Sequence, residues 1–191
     1  MVIPVTDESE TNLIQQAQGG DPRAFEEIVR RYYAPVVNIS YRMCGQAPLA
    51  EDIAQETFLR AWANLASFRL TGSMKNWLFR IAVNATLDVL RRKPATPVDD
   101  DAIQMVMDPA PGPEAALIKK ESAGHLQQML DALPEAARSV LILREYGGLS
   151  YHEIASALNV PLGTVMSRLN YARTRLRDLL KEDSLAELIH A

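Results

Sequence analysis

The sequence predicts an all-α protein made of two small helical domains joined by a flexible, acidic, proline-rich linker. Three observations carry this expectation. Apolar residues recur at three- and four-residue spacing in both halves, and no period-two run of useful length occurs, so no sheet is expected. Ala and Leu are abundant while aromatics make up only 6% of the 191 residues, a bias toward helix. Proline is absent from Leu49 to Lys93 and from Glu135 to Val160. From Pro94 to Pro113 stand five prolines, Pro94, Pro97, Pro109, Pro111 and Pro113, with Asp99, Asp100, Asp101 and Asp108 and no Lys or Arg. Proline removes backbone donors and pushes its predecessor toward extended backbone. An acidic segment of this kind cannot bury enough apolar surface to offset its ordering entropy.

These breaks divide the chain into an N-terminal extension (1–20), a first domain (21–93), a linker (94–113), a second domain (114–181) and a C-terminal tail (182–191). The extension carries no motif. In the first domain Asp21 and Pro22 open a helix bearing Phe25, Ile28 and Val29, since Asp caps well and Pro suits the first turn. Ile53, Thr57, Ala61 and Leu65 keep the helical period, as do Leu78, Ile81, Ala82, Ala85 and Val89. In the second domain Leu126, Met129, Leu130 and Leu133 form a stripe. Pro134 restarts a helix with Val140, Leu141 and Leu143, and Gly147-Gly148 ends it.

The clearest local signal follows. Ser150 and Glu153 have capping-box spacing, with Leu149 and Ile154 placed as a hydrophobic staple. This helix carries Ile154 and Leu158 and meets Asn159-Val160-Pro161, where Asn tolerates a left-handed backbone and Pro stops continuation. A longer basic helix begins next, with Val165, Leu169, Ala172, Leu176 and Leu179 on one face. Short helix, tight turn and longer basic helix make a helix-turn-helix layout. Ser167, Asn170, Tyr171 and Thr174 then face outward, flanked by Arg168 and Arg175 on one shoulder and Arg173 and Arg177 on the other. In such a reader, early residues of the second helix reach base edges and later cations meet phosphate. Ser167, Arg168 and Tyr171 are the candidates for the first role and Arg173, Arg175 and Arg177 for the second, with Thr164 at the helix start a further DNA-contact candidate. A solvated basic helix in an ordinary bundle has the same pattern.

Composition narrows the function classes. Hydrophobic residues are 48% and charged residues 23%, as in globular proteins. The formal net charge is −4, which disfavours a DNA binder acting by bulk charge. That figure hides two basic segments. From Arg60 to Lys93 seven basic residues face Asp88 alone, a net +6; from Leu162 to Lys181 five face Asp178 alone, a net +4. Localised cation patches point to an anionic partner, nucleic acid first. The three histidines (His125, His152, His190) lie in different segments, and no glycine-rich phosphate loop, His-Glu-x-x-His motif or nucleophile elbow occurs, so no enzyme, catalytic residue, metal or cofactor is expected. Cys44 is the one cysteine and cannot form an internal disulfide. No secretory signal or membrane-length apolar run is visible, so a cytoplasmic location without membrane insertion is expected.

Two further stretches carry possible chemistry. In Ala50–Trp62, Asp52, Gln55, Glu56 and Leu59 share one helical face, which either meets a partner or is merely solvated. In Ser67–Asn84 a Gly/Ser loop leads into a helix with Asn76, Arg80 and Asn84 opposite its apolar stripe. Amides and cations beside an aromatic suit unpaired bases; Trp77 and Phe79 could equally be core.

With these residues the chain resembles the bacterial extracytoplasmic-function (group IV) sigma factors. The run Asp52-Ile53-Ala54-Gln55-Glu56-Thr57-Phe58 resembles that family's polymerase-binding helix. The run from Asn76 to Asn84 resembles its promoter-melting helix. Leu149–Ala155 and Pro161–Arg168 resemble its −35-reading helix-turn-helix. The resemblance spans roughly residues 20–181 and keeps the order of the motifs. It implies a sigma region 2 bundle and a sigma region 4 helix-turn-helix that dock together on core RNA polymerase. It places Asp52, Gln55, Glu56 and Phe58 against the polymerase. It gives the −10 element to Ser67, Phe68, Arg69, Gly72, Ser73, Lys75, Asn76, Trp77, Arg80 and Asn84, with the loop from Ser67 to Ser73 capturing a flipped base. It implies promoter DNA as a ligand, and an anti-sigma factor, soluble or membrane-anchored, as a further partner.

Overall fold

A computed structural model describes residues 8–92 and 124–190, with side chains over 9–92 and 124–181. Helices account for nearly all of it, and no strand occurs among the described residues. The linker assigned to 94–113 lies outside the described residues.

The first unit contains α1 (Glu8–Gln18), α2 (Pro22–Cys44), α3 (Ala47–Asn64), a 3-10 turn (Leu65–Ser67) and α4 (Met74–Arg92). The second contains α5 (helical over 124–131), α6 (Glu135–Glu145), α7 (Tyr151–Leu158) and α8 (Leu162–His190). In the first, α2, α3 and α4 pack mutually and α1 lies along α2; in the second, α8 packs on α6 and α7.

Local chemistry sets the ends. Asp21 Oδ1 accepts from the Arg23 amide at 2.9 Å, and Pro22 takes the first turn, as the sequence leads one to expect. The helix then runs through Pro35, although proline leaves the Arg31 carbonyl without its usual donor. It stops at Gly45, whose φ of 72° is left-handed and whose amide donates to the Tyr41 carbonyl at 2.7 Å. The α6 terminus needs glycine for space: a Cβ on Gly147 would stand 2.5 Å from the Leu143 carbonyl oxygen and 2.8 Å from Leu149 Cδ1. In the capping box Ser150 Oγ accepts from the Glu153 amide at 3.3 Å, and Glu153 Oε2 accepts from the Ser150 amide at 2.7 Å. Asn159 closes α7 in the left-handed region, at φ 51°.

Residues 1–20 were expected to stand outside the first domain. Over Glu8–Gln18 they form α1, and Ile14 and Ala17 are buried in the core. Gln18 Nε2 donates to the carbonyls of Leu65 (3.0 Å) and Phe68 (2.8 Å), tying α1 to the turn after α3. Two hydroxyls inside this unit are satisfied locally: Thr57 donates to the Ile53 carbonyl and Thr86 to that of Ala82. In the second unit Val165, Leu169 and Ala172 are buried, so the inward stripe of α8 is where its spacing puts it.

The two units touch. The C-terminal end of α2 meets α6, and α4 meets α7. This contact forms one wall of the site described next.

Candidate nucleic-acid interface

Two surfaces of the first unit and one of the second gather the residues singled out above. The outer face of α3 presents Asp52, Gln55 and Glu56 to solvent. Glu56 Oε1 accepts from Arg60 Nε at 2.7 Å, and Arg60 reaches Asp88 of α4 at 3.6 Å, so the one acid of the basic segment already has a cation. Phe58 departs from expectation. It is only 6% exposed, because it follows the helical period into the core and stacks on Tyr33 with ring centres 6.2 Å apart. The exposed apolar residues are its neighbours: Leu59 is 67% exposed and Trp62 42%. With Phe25, Val29, Tyr33 and Phe58 they form an apolar groove of about 520 Å³ between α2 and α3, reached by Gln55. Leu59 was visible on the Asp52/Gln55/Glu56 face; Trp62, three residues on, carried the same helical signal.

The second surface surrounds the start of α4. Ser67, Phe68, Arg69, Gly72, Ser73, Asn76, Trp77 and Arg80 line one cleft of about 380 Å³. Eight of the ten residues expected to serve the −10 element are thus brought together. Ser73 holds the helix end, its hydroxyl accepting from the Asn76 amide and its carbonyl from that of Trp77. Phe68 is a second departure. It is 7% exposed and packs its ring 5.2 Å from that of Trp77, so it supports the half-buried indole rather than facing solvent. Lys75 does not line this cleft, and its ammonium lies 5.3 Å from the Phe79 ring centre. Asn84, one turn beyond Arg80, donates to the Ala157 carbonyl.

The opposite wall of the cleft is α7, with Glu153, Ser156 and Ala157. Nothing in the sequence announced it, because it lies more than 70 residues away. Burial pushes the Glu153 carboxyl upward, but hydrogen bonds from the Ser150 hydroxyl, the Ser150 amide and the Asn76 side chain outweigh it and hold the group below its ordinary value.

The third surface is α8. Ser167 and Tyr171 are exposed, Thr164 and Arg168 half-buried, and Met166, next to them, is 53% exposed. Ser167 donates its hydroxyl to the Thr164 carbonyl at 3.0 Å, leaving its oxygen to accept. Arg173 pairs with Glu145 of α6 at 2.7 Å. Arg144 stacks 5.3 Å over Tyr151 and donates to the Leu149 carbonyl, bracing the start of α7.

These surfaces overlap two matches to known families: sigma-70 region 2 over residues 28–96, and sigma-70 region 4 over residues 124–176. The ECF RNA polymerase sigma factor SigW of Bacillus subtilis (strain 168) is 37% identical over 179 residues, covering 88% of this chain and 95% of that protein. The chain belongs to the extracytoplasmic-function sigma factors. The RNA polymerase sigma-H factor of Pseudomonas aeruginosa resembles this sigma factor at 34% identity over 191 residues, 93% of this chain and 99% of that one. Among solved structures, CnrH in complex with the cytosolic domain of CnrY matches the sigma factor with a TM-score of 0.68 at 26% identity, covering 92% and 99% of the two chains. The sigma factor RpoE bound to the anti-sigma factor NepR from Bartonella quintana shares the fold, with a TM-score of 0.64 at 24% identity over 82% and 96%. Region 2 of the sigma factor holds the groove and the α4 side of the cleft; region 4 holds α7 and the basic face of α8. No helix among the described residues is long and apolar enough to cross a membrane, and no cluster of metal-ligating side chains occurs among them.

Proposed function

We propose that this sigma factor binds core RNA polymerase through the outer face of α3, holds the opened −10 strand on α4 and its preceding loop, and reads the −35 element with α8. Asp52, Gln55 and Glu56 supply the polar contacts to polymerase. Leu59 and Trp62 supply the apolar ones, and Phe58 holds them from beneath. Around α4, Trp77 offers a stacking ring while Arg69, Lys75 and Arg80 meet phosphate. Asn76 and Asn84 offer amides to base edges, and Ser67, Gly72 and Ser73 shape the loop that receives an unstacked base. Phe68 sets the Trp77 ring. On α8, Thr164, Ser167, Arg168 and Tyr171 face bases; Arg173 and Arg175 face phosphate. Catalysis stays with the polymerase, and the protein works in the cytoplasm where polymerase and chromosome are. An anti-sigma factor that covers the polymerase-facing surfaces keeps it inactive.

The observation that carries this reading is the single cleft into which eight of the residues expected from the sequence converge around a half-exposed tryptophan. The test is in vitro transcription with purified core enzyme on genomic fragments. Discrete start sites that require the chain are expected, and they should fade when Asp52 and Gln55 are both replaced by Ala although the fold is kept. Transcripts indifferent to the chain would refute the proposal.

A further inference from the structure

The front of the duplex reader is uncharged. Over residues 162–171 the helix α8 carries one cation, Arg168, and that side chain is half-buried on the shoulder. The side chains that face fully outward there are Met166, Ser167, Asn170 and Tyr171. Exposed cations begin only at Arg173, which is already paired with Glu145. Four-residue spacing sets the outward side chains in two ridges, Met166 beside Asn170 and Ser167 beside Tyr171. Met166 is 53% exposed and Tyr171 51%.

This face is held in place. Val165, Leu169 and Ala172 are buried against the rest of region 4 and fix the rotation of α8 about its axis. The turn that leads into it is closed by the Val160 amide donating to the Ala155 carbonyl at 3.0 Å and the Thr164 amide donating to that of Pro161 at 2.9 Å. The ridges therefore meet a duplex as a preset surface.

In the major groove guanine shows two acceptors, N7 and O6, which a cation matches. Adenine shows an acceptor and a donor, N7 and N6, which the Asn amide matches. Thymine adds a methyl group, which an apolar side chain matches. Met166 has no donor for guanine, and its approach would strip water from both acceptors without replacing it. The Ser167 hydroxyl donates to the Thr164 carbonyl at 3.0 Å, so its oxygen meets the groove as an acceptor, suited to an amino group and opposed to O6 of guanine. We propose that the front of α8 selects A·T pairs in the −35 element: Asn170 takes adenine through N6 and N7, Met166 packs on the methyl of a thymine, and Ser167 accepts from a base amino group. Met166 and Asn170 stand one turn apart, a rise of about 6 Å, so the two contacts fall within about two base-pair steps. The inference rests on the reading of α8 given above and adds the bases it recognises.

The test uses holoenzyme assembled from the full chain and purified core polymerase, on a promoter fragment recovered by the transcription experiment. The stretch around −35 is randomised and the retained sequences are read. The wild type should retain an adenine and a thymine at two close positions. Met166→Arg should turn the thymine position to guanine, and Asn170→Ala should lose the adenine and keep the thymine. Both side chains are exposed, so these variants leave the core untouched. A second measurement needs no variant: uracil in place of the retained thymine removes the methyl group alone. Wild-type holoenzyme should then bind about 4-fold more weakly, the worth of one buried methyl-sized group, and Met166→Ala should bind both fragments alike. Retention of G·C pairs in place of these two would overturn the base assignment. So would equal binding of the thymine and uracil fragments while Arg175→Ala still weakens binding. If Arg175→Ala, Met166→Arg and Asn170→Ala all leave holoenzyme binding and selection unchanged, α8 is off the DNA, and the reading beneath the inference falls with it.

Discussion

Phe58 and Leu59 are adjacent and both apolar, yet they do opposite work. Phe58 stacks inside on Tyr33, and Leu59 stands in solvent at the rim of the groove. Phe58→Ala should therefore cost about 3–5 kcal/mol of stability, read by denaturant unfolding. Leu59→Ala should leave the unfolding midpoint in place and weaken capture of core polymerase. Equal losses of stability would erase the distinction. The same contrast shows where reading from sequence stops. The motif run from Asp52 to Phe58 was recognisable, but a motif marks a segment and not which of its side chains turn outward. That depended on the tilt of α3 against α2 and α4. Phe68 misled for the same reason, being aromatic, next to the loop and folded under Trp77. Arg168 was legible from periodicity as a shoulder residue of α8, and it is half-buried there. If it contacts a base, Arg168→Ala should reduce discrimination between promoter and mismatched duplex by about 1–3 kcal/mol in competition binding. A uniform loss across sequences would reassign it to phosphate.

At the scale of elements, the signals that proved readable were those in which neighbours in sequence are neighbours in space. The Asp21 cap, the glycine stop of α6, the capping box of α7 and the left-handed Asn159 all depend on atoms within a few residues. The helix α1 was not readable as part of the first domain, because its place is fixed by Ile14 and Ala17 packing on α2 and by Gln18 reaching carbonyls about 50 residues away. The capping box makes a pH-dependent prediction. Glu153 has its native pKa held below the ordinary 4.5 by its hydrogen-bond donors. The ionised form is thus favoured by folding: its contribution is complete above 4.5 and is lost as pH falls through the lowered native value. Far-ultraviolet circular dichroism during an acid titration should show wild type losing a stabilising increment below pH 4.5 that Glu153→Gln lacks, since Gln also fits the third position of the box. Parallel acid profiles for the two proteins would contradict the assignment.

For the whole molecule, the acidic total and the two basic segments are reconciled by geography: cations lie on α4 and α8, while many acids lie elsewhere in the chain. The relation between the halves was the part least accessible to sequence, because Asn76–Glu153 and Arg138–Met43 join residues 77 and 95 positions apart. No local pattern encodes such pairs. Affinity for duplex promoter DNA should fall steeply with salt, and neutralising Arg175 should flatten that slope; an unchanged slope would take it off the DNA face. Glu145 sits against the Arg173 guanidinium. Arg173 brings an internal counter-ion to the duplex. When phosphate replaces that carboxylate, one anion is exchanged for another within the protein's own charge balance, and the freed glutamate stays behind near the backbone as a repulsive neighbour. Glu145→Gln should therefore both tighten duplex binding and steepen its ionic-strength dependence. With Arg173 on the phosphate backbone as proposed, the pair would act as a governor on non-specific attachment to chromosomal DNA, holding the reader's grip loose until a machine with its own contacts carries it to a promoter.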